Sequence, residues 1–378
     1  MSCNLCGGKV SSLIDFGRFP IHKHYLKERG EKRTLYCMHL GFCASCGLSQ
    51  LIDPAPAFES YETYVNLSSD KPQPQMAREI EAISRFLPYG ASVIECGSND
   101  GSFLQLLEGA GFDAMGIDPA KDAHAIASAK GLNVVCESLS SKTAKSLGTY
   151  DLFVSRQNLE HIEDLRDMAL AIRRLVKPGG YALIEVPDFT QNMNNRDYAI
   201  WEEHVNYFTE ETLQRFCSLA GMVIINSEYL QFSGGSFFSI ARTCEAPEFW
   251  PSDGLKAANL AYGFAWPFFR ARFKSTLEAI LGKVAVYGAA SRILFLINAL
   301  GIADKISFIV DDQPTKQGLH APGSELVIRD ASALAEAKVA LLSVNIENEC
   351  SVIDAHKGWD GQWWSILPPS ERLLGAWR

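Results

Sequence analysis

Two cysteine pairs, Cys3-x2-Cys6 and Cys43-x2-Cys46, stand near the start of the chain, and each is followed at once by a glycine, Gly7 and Gly47. Two thiolates three positions apart on a tight turn can grip one tetrahedral zinc ion, and the glycine permits the positive φ that such a turn needs. Four thiolates close the coordination sphere, so Cys3, Cys6, Cys43 and Cys46 read as ligands of a structural zinc site. The competing reading is a pair of disulfides. Cysteines at i and i+3 bridge poorly to each other, and a reducing compartment disfavours the bond. Cys37, His22 and His24 lie between the pairs as spare ligands, whereas Cys96, Cys136, Cys217, Cys244 and Cys350 have no partner at metal spacing and read as packing residues.

A second set of residues lies in VIECGSNDGSF, where Glu95, Gly97, Asn99, Asp100 and Gly101 fall between an apolar run and a helical pattern. A strand that ends there lets a ligand approach bare backbone, and the helix that follows offers free N–H groups. The next apolar run ends at Asp118, whose carboxylate is placed to accept both hydroxyls of a ribose. A nicotinamide dinucleotide would call for G-x-G-x-x-G against its pyrophosphate. The polar, acidic G-S-N-D-G turn instead suits a nucleoside cofactor with an amino acid tail and no phosphate, and S-adenosylmethionine fits that description. NAD and a plain glycine turn that packs a helix on a sheet are the alternatives. Gln157 and Asn158 are candidate cofactor contacts, and Ser138 is a candidate neighbour of the adenine.

These residues must be carried by regular elements, and the patterning supplies them. A helical pattern over 76–87 precedes strands at 91–96, 113–118, 133–137, 150–155 and 181–186, separated by helices at 102–109, 120–129 and 165–176. A Lys177-Pro178-Gly179-Gly180 turn leads into the strand at 181–186. Short strands regularly separated by helices predict a parallel, doubly wound sheet. A second alternation follows, with strands at 283–287, 306–310, 325–328 and 339–343 and a helix at 292–300. The expected fold is α/β: a small zinc-binding module (1–66), a Rossmann-like domain (67–244) and a second Rossmann-like domain (245–378). The formal net charge of -9, with no Lys/Arg run, excludes a phosphate backbone as partner. The apolar runs are too short to span a bilayer and the N-terminus has no secretory pattern, so no membrane partner and a cytoplasmic setting are expected.

Taken in order, the Cys pairs, ECGSNDGSF, GIDPAKDA, QNLEHI, KPGGYALIEVP, IWEEHVNYFTEETL, SGGSFFSIAR, VYGAASR and FIVDDQPTKQGLHAPG resemble the sugar-nucleotide C-methyltransferases of deoxysugar biosynthesis. The resemblance covers nearly the whole length. It implies a zinc-binding N-terminal domain, a class I methyltransferase domain and a Rossmann-like C-terminal domain. It further implies methylation, from S-adenosylmethionine, of carbon 3 of a 4-keto sugar carried on a thymidine, guanosine or cytidine diphosphate.

That reaction needs a base for the C–H beside the ketone and a donor or cation for the enolate oxygen. His204 is the expected base, since imidazole titrates near working pH. Glu203 takes the family's acidic position. His161 matches an active-site histidine, although an EH pair at this point also shapes cofactor pockets in many methyltransferases. Tyr64, in a segment that resembles the family's Y-x-Y-x-S-S, is an expected active-site contact or a packing residue of the linker. The resemblance places Trp201, Asn206, Tyr207, Gly234, Gly235 and Ser236 near the sugar. In the C-terminal domain it places Gly288, Ser291, Arg292, Asp311 and Lys316 near the nucleotide, with the diphosphate at a helix N-terminus. Trp359, Trp363 and Trp364 read as core or interface anchors.

The chain departs from the family at its Y-H-E-H, which reads Trp201-Glu202-Glu203-His204 here. Tryptophan donates one N–H and cannot accept or shuttle a proton. Methylation of oxygen or nitrogen on a sugar nucleotide, and a non-catalytic nucleotide-binding homologue, are therefore the rival functions.

Overall fold

The computed structural model describes residues 1–56, 73–232, 234–245 and 248–377. The candidate contact Tyr64 lies outside the described residues.

Three sheets organise the chain. The first carries the cysteine pairs. A long hairpin of β1 (Val10–Phe19) and β2 (Tyr36–Cys43) is extended by β3 (Ser49–Leu51), and Cys43 ends β2. The fourth strand of this sheet comes from far along the chain: β9 (Asn206–Tyr207) pairs antiparallel with β3, Ser49 opposite Tyr207 and Gln50 opposite Asn206. The 36 residues between the cysteine pairs imply a small β-rich excursion that brings the two knuckles together, and the β1–β2 hairpin is that excursion; β9, two residues long, gave no signal.

The second sheet holds β4 (Ser92–Cys96), β5 (Asp113–Ile117), β6 (Val134–Val135), β7 (Tyr150–Arg156), β8 (Val176–Pro187), β10 (Met222–Leu230) and β11 (Ser236–Thr243). Its order is β10-β11-β8-β7-β4-β5-β6. The β4, β5, β6, β7 and β8 pairings are parallel, and β11 runs antiparallel between β8 and β10. Helices α1 (Pro74–Ser84), α2 (Ser102–Gly109), α3 (Lys121–Ala129) and α4 (Leu165–Leu175) flank the early strands, with α5 (Phe189–Asn195) and α6 (Glu210–Leu219) after β8. The expected Lys177–Gly180 turn is present as an outward bulge within β8, where the register slips between Tyr150 opposite Val176 and Leu152 opposite Tyr181.

The long helix α7 (Asp253–Glu278) leads to the third sheet. Its strands β12 (Val284–Tyr287), β13 (Phe308–Val310), β14 (Ile328–Arg329), β15 (Val339–Leu342) and β16 (Gln362–Ser365) are all parallel, in the order β14-β13-β12-β15-β16. Helix α8 (Ser291–Leu300) follows β12 and α9 (Ile346–Ala355) follows β15. The strands expected at 306–310 and 325–328 are shorter than the apolar runs that signalled them. The α/β expectation, with a small cysteine-bearing module and two doubly wound sheets, is what the chain adopts.

One core cluster joins residues of all three parts: Phe16 and Leu40 from the first sheet, Tyr198 and Ile200 from the segment before β9, and Phe273 and Phe295 from the C-terminal part. Among the described residues no helix is long and apolar enough to cross a membrane.

Candidate active site

In an open α/β sheet, ligands bind at the carboxyl ends of the strands where the strand order reverses. Here the chain runs from β4 outward through β5 and β6, then returns to β7 on the other side, so the crevice lies beyond the ends of β4, β5 and β7. Gly97 follows β4 with φ 80, and Gly101 caps α2 with φ 78. A Cβ on Gly97 would stand 2.9 Å from Asn158 Cγ, and one on Gly101 would stand 2.2 Å from Leu132 Cδ1. Side chains are thus excluded from the turn on steric as well as conformational grounds.

The turn is held from below. Asp118 accepts the Asn99 amide on Oδ2 (3.0 Å) and the Ala120 amide on Oδ1 (2.8 Å). Asp100 accepts both the amide and the hydroxyl of Ser102, which fixes the start of α2. Asp118 keeps further lone pairs, whereas Asp100 reads as a capping residue. Glu95 is buried with Oε2 unpartnered, and burial pushes its carboxyl up to about 8, ahead of opposing attraction from Arg156 and repulsion from Asp118. The buried Ser98 hydroxyl is unpartnered as well. Orphaned polar atoms around a bare-backbone turn fit a cofactor that brings an amino acid group and a ribose. S-adenosylmethionine, when bound, supplies an electrophilic methyl on a sulfonium. Ser138 is exposed, and its carbonyl accepts the Thr143 hydroxyl.

The rim beyond β7 carries a buried ion cluster that sequence reasoning missed. Arg156 donates to Glu79 Oε2 from α1 at 2.6 Å and faces Glu185 Oε2 on β8 at 3.1 Å. Glu185 Oε1 also accepts from Gln157 Nε2 (3.0 Å) and the Ser236 hydroxyl (3.2 Å). The only available signal was an Arg and a Glu near the ends of two apolar strands, and these two are register partners. Gln157 and Ser236 therefore brace this cluster. Asn158 lies over Gly97 and opens the 3-10 turn Leu159–His161.

His161 stands edge-to-face on His204, ring centroids 4.9 Å apart at 80°. Its Nδ1 lies 2.8 Å from the Glu203 carbonyl. A carbonyl only accepts, so Nδ1 carries the proton and Nε2 keeps the lone pair. Burial pulls His161 down to about 4, against the bond to Glu203. Burial likewise holds His204 well below the ordinary imidazole range, assisted by His161 and Arg292. Glu160, beside them, is buried with neither carboxylate oxygen hydrogen-bonded and Oε1 4.0 Å from His161 Nε2, and burial pushes it up to about 8. Glu160, His161 and His204 bring one ligand atom each within 4.8 Å of one another. An ion there would occupy the His204 lone pair that base chemistry needs.

On its other side His204 stacks on Trp201, centroids 5.4 Å apart at 16°. Trp201 O accepts from the His204 amide and from the Tyr207 hydroxyl. His204 lines an open cleft together with Trp201, Asn206, Tyr207, Gly234, Gly235 and Arg292. Of the residues expected near the sugar, all but Ser236 meet here.

Arg292 takes a different position from the one its sequence context implied. It starts α8 in the C-terminal part, yet its Nε donates to Ala199 O (2.8 Å) and its Nη2 pairs with Asp197, both in the segment before His204. Nη1 rests where a Cβ on Gly234 would be 2.6 Å away. The guanidinium thus faces the cleft of the second sheet rather than the end of its own helix. Asp311 accepts the Ala289 amide (2.8 Å) and pairs with Lys316 (3.1 Å), and the Gly288 amide donates to Val310 O (2.7 Å). Asp311 and Lys316 thus brace the turn after β12. Ser291 is half-buried at the first position of α8.

Asn206 lines the cleft, but its amide is fully engaged: Oδ1 accepts from Asn4 Nδ2 (3.0 Å), and Nδ2 donates to Ile162 O (2.7 Å). The Glu203 carboxylate pairs with Lys23 Nζ at 2.7 Å, outside the cleft lining.

The four cysteines of the two pairs converge. Cys3 Sγ and Cys46 Sγ are 3.4 Å apart, and Cys6 Sγ and Cys43 Sγ are 3.6 Å apart. A disulfide would need about 2.05 Å. The edge of a zinc–thiolate tetrahedron with bonds of about 2.3 Å is about 3.8 Å. The donor set and its spacing fit zinc after a small expansion, and the four are free thiols.

A methyltransferase domain family matches residues 70–227, a C-methyltransferase C-terminal domain family matches residues 271–368, and a zinc binding domain family matches residues 3–61. C-methyltransferase NovU of Streptomyces niveus is 26% identical over 409 residues, spanning 99% of this chain and 97% of its own. A ubiquinone biosynthesis O-methyltransferase of Escherichia fergusonii is 35% identical over 99 residues, 24% of this chain and 41% of its own length. A solved SAM dependent methyltransferase from Archaeoglobus fulgidus is 19% identical, with 45% of this chain and 93% of that one covered at a TM-score of 0.37. The chain is an S-adenosylmethionine-dependent methyltransferase. It is built as a C-methyltransferase, with a zinc-binding module ahead of the catalytic domain and a C-methyltransferase C-terminal domain behind it.

Proposed function

We propose that the protein methylates carbon 3 of a nucleotide-linked 4-keto sugar, with His204 as the base. The observation that carries this reading is the position of one imidazole. His204 lines the cleft beside Arg292 and touches His161, whose turn begins at the Asn158 that lies over the cofactor turn.

The chemistry follows from these neighbours. A ketone acidifies the adjacent C–H, and an imidazole kept unprotonated by burial has a lone pair to take that proton. The electron pair moves onto the carbonyl oxygen and leaves the deprotonated carbon as the nucleophile; S-adenosylmethionine, held at the Gly97–Gly101 turn, would supply the methyl group as its sulfur–methyl bond breaks and S-adenosylhomocysteine leaves. Arg292 is the cation that faces the cleft, and it steadies the negative charge that develops on the enolate oxygen. Trp201 stacks on the base and holds its plane.

The test is a mass-spectrometric screen of thymidine, guanosine and cytidine diphosphate 4-keto sugars with S-adenosylmethionine. In deuterated water without the cofactor, the C3 hydrogen of the accepted sugar should exchange. His204→Ala should lower both exchange and methylation by about 10²- to 10⁴-fold. Methyl gain without any C3 exchange would indicate transfer to oxygen or nitrogen and overturn the carbon-acid mechanism.

A further inference from the structure

We propose that the zinc module positions the active-site base, by gripping the catalytic segment at Glu202 and Asn206, two residues before and two after His204. The inference rests on His204 acting as the base.

The first grip is buried. Glu202 Oε1 accepts the His22 amide at 2.7 Å, and Glu202 Oε2 faces His22 Nδ1 at 3.4 Å. The orientation of His22 can be worked out from its other neighbour. Asn298 Nδ2 lies 2.9 Å from Pro322 O and 3.0 Å from His22 Nε2. A carbonyl only accepts, so this atom is the amide nitrogen, and its second hydrogen points at Nε2. Nε2 is thus an acceptor and the ring proton sits on Nδ1, toward Glu202. Gly323 leaves room for this amide, since a Cβ there would stand 2.4 Å from Asn298 Nδ2. Phe295 packs edge-on against the His22 ring. The next residue repeats the pairing, Lys23 to Glu203 at 2.7 Å.

The second grip starts inside the zinc knuckle. Asn4 lies between the ligands Cys3 and Cys6, and its Nδ2 donates to Asn206 Oδ1 at 3.0 Å. Asn206 Nδ2 passes the contact to Ile162 O, next to His161. Backbone pairing of β3 with β9 runs alongside, and the Leu51 amide donates to Val205 O at 3.0 Å. Both histidines of the site are therefore tied to the cysteine module by short polar links, and the segment between Arg196 and Asn206 has no helix or strand of its own to fix it. Glu202 fills the position where related chains carry the first histidine of Y-H-E-H, and here it is a group that binds another module, not the substrate.

The test uses the full, zinc-loaded chain and the variants Glu202→Gln, His22→Gln and Asn4→Ala, none of which alters a cysteine or a residue of the cofactor turn. Four quantities are read: zinc content, S-adenosylhomocysteine affinity, kcat against KM on the accepted keto-sugar nucleotide, and the rate at which diethyl pyrocarbonate modifies His204, followed by peptide mass spectrometry. Displacement of a reacting group by about 1 Å costs about 10²-fold. The expected result is retained zinc, cofactor affinity within about twofold, kcat lower by about 10- to 100-fold and faster His204 modification. The His22→Gln/Glu202→Gln double variant should be no worse than the worse single one, since the pair acts as a unit. Additive losses, or kcat and His204 modification both within about twofold of the parent, would overturn the proposal. If His22→Gln does not fold, Asn4→Ala and Glu202→Gln decide by the same criteria. Undiminished methylation by His204→Ala would sink the base assignment instead, and the modification rate would still judge the grip by itself.

Discussion

Arg156→Met removes the guanidinium that lies between Glu79 and Glu185 and replaces it with an apolar chain of similar length. Both carboxylates are fully buried, and Arg156 touches both. Breaking a buried pair by removing one partner costs about 3–5 kcal/mol, because the other charge is left in a medium that does not solvate it. At about 2–4 °C per kcal/mol for a domain of this size, the thermal midpoint should fall by about 6–20 °C. The pH dependence gives a sharper test. Burial already pushes the Glu79 carboxyl well above its ordinary value, with repulsion from Glu185 added and only Arg156 opposing. Without Arg156 the folded state must hold a further proton. A carboxyl whose folded pKa is raised binds more protons folded than unfolded, so stability falls as pH rises above the unfolded value of about 4.3. The defect should therefore be smaller at about pH 5.5 than at about pH 8, because protonation replaces the lost cation. Urea and thermal unfolding at both pH values measure it. An unchanged midpoint, or a defect of equal size at the two, would refute the assignment of Arg156 as the counter-charge of this rim.

Three further outcomes follow from the site. His204 is held below the ordinary imidazole range by burial, so it remains unprotonated as pH falls through about 6.5, and the acid limb of kcat/KM should lie below that value. A limb at or above about 7 would mean that another group controls it. Gly101→Ala introduces a Cβ 2.2 Å from Leu132 at φ 78, and it should cost about 1–3 kcal/mol of stability and weaken S-adenosylhomocysteine binding, measured by denaturant unfolding and calorimetry. Cys46→Ser breaks the four-thiolate set, so metal analysis should find the zinc lost, and methyl transfer should fall with it even though no cofactor contact has changed.

The parts of this arrangement that were legible in the sequence are those whose signal is local. Cys3-x2-Cys6 and Cys43-x2-Cys46 announce a metal because each pair sits on a single turn. The GSNDG turn announces a cofactor because a strand, a glycine and a helix start lie within a few residues, and the alternation of apolar runs announces the sheets. What remained illegible depends on contacts between residues far apart in the chain. Asn206 and Tyr207 matched a family motif and were expected near the sugar, but nothing in their sequence neighbourhood indicates that they form the fourth strand of the zinc module's sheet. Arg292 opens a helix after a strand, a context that points to a diphosphate, yet its side chain reaches back to Asp197. Glu202 read as an unexplained substitution because its partner, His22, is 180 residues away.

Residues 197–206 show why such distant contacts are concentrated at this site. A catalytic base is useful only if its ring is held to a fraction of an ångström, and a helix or strand would normally supply that rigidity. This segment has neither, so its side chains must do it. Asp197 is fixed by Arg292 from the C-terminal part, Tyr198 is buried against Tyr262 and Trp266 of α7, and Glu202, Glu203 and Asn206 are fixed by His22, Lys23 and Asn4 of the cysteine module. On the proposed role of His204, the domain of the second sheet supplies the chemistry, while contacts from both flanking parts hold the segment that carries the base. That division implies that the flanking modules cannot be removed without loss of rate, even where the remaining domain folds and binds its cofactor.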